Sequence, residues 1–142
     1  MSLASMMAGA AFNNTKLGIV HAMANTYGGY FPSPHGAVNA ILLPYCMKFN
    51  FLAAPKKFAK IAELLGENVE GLTEYDAALK ALEAIDKLIK DLNVPTSLKV
   101  YGFDDALVNK MATESFAVAN AKVNCRKVSI KEIEDLYRQA SK

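Results

Sequence analysis

Both histidines of the chain fall within one short stretch, HAMANTYGGYFPSPHG, as His21 and His35, fourteen positions apart. An imidazole nitrogen binds a divalent transition metal at about 2.0–2.1 Å, so two helices joined by a stiff turn could carry both rings to one ion. Spacing alone leaves two readings open, metal ligands or ordinary packing histidines. Completing a coordination shell from the surrounding residues is difficult. There is no third histidine, and no Asp or Glu occurs before Glu63. Cys46 lies eleven residues beyond His35 on the same expected helix, roughly 16 Å along its axis, so the two cannot share an ion. Asn25 stands one turn after His21, where a second histidine would have completed a two-point clasp. A neutral amide is a poor ligand. Taken residue by residue, this is half of a metal site.

The elements that must position these residues read as helices throughout. ASMMAGAAFN (4–13) suits a buried helix, and Asn14 or Thr15 is the expected N-cap of a second helix over 16–26 that Gly28-Gly29 ends. Pro32 and Pro34 stiffen the connection. Residues 36–50 form an expected third helix, apolar nearly all round and therefore central, with Pro44 as a kink or restart. Pro55 opens a fourth helix that closes at Gly66. Thr73 and Asp76 have the form of a cap before a helix to about Leu92, whose apolar positions (Tyr75, Ala78, Leu79, Leu82, Ile85, Leu88, Ile89, Leu92) recur every three or four residues. Residues 104–118 and 129–140 give two more, the last with a Ser129/Glu132 capping box. No alternating strand run and no internal repeat occurs. The reading is one all-α domain over 1–142, a helical bundle of about six to seven helices.

Composition narrows the function classes. Residues 1–62 carry five lysines and no acid, and the uncharged run from Leu17 to Met47 must be buried or face a ligand. It is not a membrane span, because Gly28, Gly29, Pro32, Pro34 and both histidines interrupt it. A net charge of +2, without a basic cluster interleaved with aromatics, argues against a nucleic-acid surface. Cys46 and Cys125 read as free thiols of a reducing cytoplasm, and no signal peptide is evident.

AGAAFNN (8–14), GIVHAMA (18–24) and GGYFPSPHGAVNAILLPY (28–45) together resemble the C-terminal helical domain of the iron-containing, group III alcohol dehydrogenases, of dehydroquinate-synthase-like fold. The similarity continues more weakly through AELLG (62–66) and the helix of residues 72–98. It ends in NCRKVSIKEIEDLYRQA (124–140), where the family usually has Pro in place of Cys125. The resemblance implies that His21 and His35 match the third and fourth ligands of an Fe2+ (or Zn2+) site and that Phe12 lines the substrate and nicotinamide pocket. Tyr27 and Tyr30 are further candidates for its apolar wall. The family's first two ligands, an Asp and a His four residues apart, lie on an earlier helix, and NAD(P) is held mainly by a preceding Rossmann-like domain; no residue here matches either. On this reading the chain is a C-terminal piece of an enzyme that moves hydride between a small alcohol or aldehyde and NAD(P), inactive by itself and prone to homo-oligomerise. Asn25 departs from the pattern, since many members have a catalytic or cofactor-contacting His there and Asn cannot shuttle protons near neutral pH. Two other readings are a helical interaction or scaffold module with packing histidines, and a metal protein that completes its site between subunits.

Overall fold

A computed structural model describes residues 1–142. It contains eight α-helices and no strand: α1 (Ser2–Thr15), α2 (Ile19–Tyr30), α3 (His35–Asn50), α4 (Pro55–Leu64), α5 (Glu74–Asp91), α6 (Val108–Ala117), the single turn α7 (Ala119–Lys122) and α8 (Ile130–Ala140). Short 3₁₀ turns over Phe51–Ala53, Leu98–Tyr101 and Asp105–Leu107 make corners between them. No helix is long and apolar enough to cross a membrane.

The caps follow from the residues that precede each apolar stripe. Thr73 Oγ1 accepts from the Asp76 backbone N–H at 3.1 Å. Ser129 and Glu132 form a full capping box, with the Ser129 N–H donating to the Glu132 carboxylate at 2.8 Å. Each satisfies a donor that the first helical turn leaves without a partner. Pro55 occupies the first turn of α4, where a missing N–H costs nothing.

Two apolar clusters share α3 as a wall. The larger joins α2 (Ile19, Ala22, Met23, Ala24, Tyr27) to α3 (Val38, Ile41, Leu42, Cys46), α6 (Val108, Met111, Ala112) and α8 (Ile133, Leu136, Tyr137, Ala140). The smaller packs Met47 of α3 against Phe58 and Ala62 of α4 and Ala78, Ala81 and Leu82 of α5. Alanines at 62, 78 and 81 let the α4–α5 hairpin close tightly. Helix α3 is apolar nearly all round because it faces both clusters, and it runs unbroken through Pro44.

Three sequence expectations need correction. Helix α1 buries no residue, and Leu3, Met6, Met7 and Phe12 are exposed, because no other helix packs extensively on it. Asn14 and Thr15 do not cap α2. Their side chains bond back to the Ala10 and Ala11 carbonyls and stay in α1, and the turn falls at Lys16–Gly18, where Lys16 and Gly18 both have positive φ. Gly28 and Gly29 do not end α2, which continues to Tyr30 and stops at the extended Phe31. The one-turn α7 was not foreseen. Both cysteines are free, Cys46 buried and Cys125 exposed; burial pushes the Cys46 thiol up to about 12.

Buried hydroxyls fix how α2 sits in the core. The Tyr137 hydroxyl of α8 donates to the Met23 carbonyl at 2.7 Å and lies 2.9 Å from Ser115 Oγ of α6. The Tyr27 hydroxyl donates to the Leu98 carbonyl at 2.9 Å and also meets the Gly102 carbonyl. Burial holds the Tyr137 phenol above its ordinary range and pushes Tyr27 up to about 12, so both stay protonated donors. Tyr137→Phe leaves the Ser115 hydroxyl without its partner and is expected to cost about 1–2 kcal/mol, measured by urea unfolding. A loss near zero would mean that this network does not hold α2.

Candidate metal centre

The segment between the two histidines is anchored at its first residue. The Phe31 ring stacks on Tyr27 with centroids 5.0 Å apart. A Cβ on Gly102 would lie 3.0 Å from the Phe31 ring, and Gly102 has φ of 99°. Only glycine combines that conformation with that approach. Ser33 Oγ donates back to the Phe31 carbonyl at 2.9 Å, and Pro34 hands the chain directly into α3 with His35 as its first residue.

The start of α2 is held from far away in sequence. Asn124 Oδ1 accepts from the Ile19 N–H at 3.2 Å and from Asn50 Nδ2 at 3.1 Å, while Asn124 Nδ2 donates to Asn50 Oδ1 at 2.7 Å and to the Arg126 carbonyl at 2.8 Å. One amide thus caps α2, which has no cap of its own, and ties it to the last residue of α3. Gly18 has φ of 75°, and a Cβ there would meet Asn124 Oδ1 at 3.1 Å. Arg126 reinforces the tie, with its guanidinium 3.9 Å from the Phe49 ring centroid and donating to the Phe49 carbonyl at 2.9 Å.

These constraints bring the two imidazoles together. The His21 and His35 rings have centroids 5.5 Å apart with their planes at 56°. Two imidazoles on one tetrahedral ion at about 2.0–2.1 Å would have centres about 5 Å apart. The observed ring separation is close to that spacing. No third His, Cys, Asp or Glu joins them, so the chain offers two nitrogen donors and no carboxylate. An open groove of about 420 Å³ runs beside His21, walled by Leu17, Val20, Ala40 and Leu43 with Asn39 on its border. Burial, followed by the neighbouring His35, holds the His21 imidazole below its ordinary 6.5, which favours the neutral ring that a metal requires.

The other candidates do not gather as closely. Asn25 is exposed one turn beyond His21 and makes no side-chain hydrogen bond. Phe12 lies on exposed α1 and is 43% accessible, outside both apolar clusters. Tyr27 is fully buried as a core residue, so it is not part of a pocket wall. Tyr30 donates to Glu114 at 2.6 Å with Lys110 near its ring. Asn39, not singled out from the sequence, contacts His35 Nε2 at 2.8 Å. Its i, i+4 spacing from His35 was the available signal.

The family model described as Fe-containing alcohol dehydrogenase family, C-terminal, matches residues 1–141. The chain belongs to the iron-containing alcohol dehydrogenase family. It is 47% identical over 140 residues to the 1,3-propanediol dehydrogenase of Klebsiella pneumoniae, a match covering 99% of this chain and 36% of that protein. It is 34% identical over 140 residues to the NAD-dependent methanol dehydrogenase of Bacillus methanolicus, covering 99% of this chain and 37% of the relative. A crystal structure of 1,3-propanediol oxidoreductase superposes with a TM-score of 0.93 at 47% identity, covering 96% of this chain and 36% of the other. The chain thus spans about a third of the length of these relatives and matches their C-terminal helical domain.

The shifted His21 makes a pH dependence. Because its folded pKa lies below 6.5, the unfolded chain binds the proton more readily. The stability from the neutral ring is complete above about 6.5 and declines as pH falls through the folded pKa. An NMR titration of metal-free protein is expected to place the His21 midpoint below 6.5; a midpoint at or above that value would contradict the geometry.

Proposed function

We propose that this chain is the metal-binding part of an NAD(P)-linked, iron-dependent alcohol dehydrogenase, with His21 and His35 as two ligands of Fe2+ (or Zn2+). The convergence of the two rings at 5.5 Å across α2 and α3, with no third ligand near, carries the reading. Neither ring belongs to an apolar cluster, so the scaffold alternative finds no support. The remaining ligands, an Asp and a His, and the nucleotide-binding domain are assigned to a preceding part of the parent enzyme.

When bound, the ion supplies Lewis acidity toward an alcohol or carbonyl oxygen, and the nicotinamide supplies the hydride chemistry. The residues here do the holding and the shaping. His21 and His35 present nitrogen donors from two helices locked to each other by Asn124. Leu17, Val20 and Leu43 wall the adjoining groove with apolar surface, which suits a short aliphatic chain. Phe12 contributes to the same pocket once α1 is covered by the rest of the parent. Asn25 offers hydrogen bonds and no proton transfer near neutral pH, so proton movement is assigned to another group. The names of the relatives direct the substrate choice toward small alcohols, diols and the corresponding aldehydes. Two unpaired cysteines support a reducing, cytoplasmic setting, and the exposed apolar residues of α1 support burial against the parent or a second copy.

Titration of the chain with Zn2+ tests the ligand assignment. His21→Ala and His35→Ala are each expected to weaken binding at least tenfold, and the chain alone is expected to turn over no alcohol with NAD+ or NADP+. Unchanged affinity and stoichiometry in both variants would overturn the assignment.

A further inference from the structure

Asn39 sits one turn after His35 on α3, and its amide makes two contacts to that single residue. Nδ2 lies 2.8 Å from His35 Nε2 and 3.0 Å from the His35 carbonyl oxygen. A carbonyl only accepts, so the amide atom facing it is the NH₂ group, and an amide turned the other way would set two oxygens together. The NH₂ group has two hydrogens and two acceptors, and both are used. His35 Nε2 is therefore the acceptor in its contact, which places the ring proton on Nδ1 and leaves the lone pair on Nε2. Meanwhile Asn39 Oδ1 is buried and meets no donor. An orphaned buried acceptor costs about 1–3 kcal/mol, so this arrangement is not explained by what it does for Asn39. Local rules broken at a site are a mark of function.

We propose that Asn39 is a positioning residue for His35, selecting the tautomer with its proton on Nδ1, so that Nε2 carries no proton and its lone pair passes to an ion that displaces the amide N–H. This rests on the ligand role of His35 proposed above. Asn39 gives up one N–H contact when the Nε2 lone pair is donated to an ion, and its bond to the His35 carbonyl keeps the amide in place beside the groove. Without the amide, the neutral ring returns to the tautomer with its proton on Nε2, which imidazole side chains in water favour. Binding through Nε2 then requires loss or migration of that proton.

Two measurements on the ¹⁵N-labelled 142-residue chain test this. In metal-free protein above pH 8, long-range ¹H–¹⁵N correlation spectra read the tautomer of each histidine. Wild type is expected to show His35 protonated on Nδ1, while Asn39→Leu and Asn39→Ala shift it to Nε2 and leave His21 unchanged. A wild-type His35 protonated on Nε2, or variants that keep the wild-type pattern, would overturn the proposal. Asn39→Leu preserves volume and Asn39→Ala leaves room, so a folded spectrum from either suffices. In the second arm, Zn2+ titration of the folded variant is expected to show affinity reduced severalfold, because the ring proton must first leave Nε2. Affinity unchanged in the Asn39 variants but lost in His21→Ala and His35→Ala would overturn the role of Asn39 and leave the ligand assignment standing. Affinity unchanged in the histidine variants would remove both.

Discussion

The rotation of α2 about its own axis is the constraint on which the rest of the site depends. Successive helical residues turn by about 100°, so Ile19, Ala22, Met23 and Tyr27 form one stripe against α3, α6 and α8. His21 then emerges half-buried at the edge of that stripe, bordering α3, and Asn25 is exposed one turn on. The Tyr137 hydroxyl on the Met23 carbonyl and the Tyr27 hydroxyl on the Leu98 carbonyl turn that nonspecific burial into one setting of the helix. A shift of one residue in register would carry His21 toward the core and leave a tyrosine hydroxyl without an acceptor. Apolar burial supplies most of the stabilisation, and the two phenols supply the direction.

Helix α3 converts that setting into a pair. It is buried on both sides, with α2, α6 and α8 on one and the α4–α5 hairpin on the other, so it has little freedom to slide. Its first residue is His35, and its last, Asn50, is bonded to Asn124, which also caps α2. The two histidine-bearing helices are thus tied at the Asn124 end and joined by the Phe31-anchored turn at the other. This division of labour leaves the side of both helices beside His21 open, as the proposed metal site requires if carboxylate donors come from outside these residues.

How much of this was legible depended on whether the deciding contact was local. Helices α5 and α8 could be placed because their caps and stripes are written within one or two turns, at Thr73–Asp76 and Ser129–Glu132. The start of α2 was misplaced because its capping group, Asn124, is 105 residues away from Ile19. Gly28 and Gly29 suggested a helix end, yet burial of Tyr27 and its hydroxyl contacts carried α2 past them. Helix α1 looked buried because composition reports apolarity and not the presence of a partner. The histidine pair was legible as types and spacing, and the motif spanning residues 28–45 gave it a family context. The 5.5 Å approach of the rings and the Asn39 contact depend on the fold of the intervening turn. Tyr27 could not be told from a pocket residue until its acceptors were known.

The central claim is that one ion is held by both imidazoles. X-ray absorption fine structure at the zinc edge of the Zn2+-loaded chain reads this directly, because imidazole rings give a distinct outer-shell scattering pattern. The account predicts two imidazoles per ion, each at about 2.0–2.1 Å, with oxygen donors from solvent filling the remaining positions. A spectrum with one imidazole or none, at full metal loading, would contradict it.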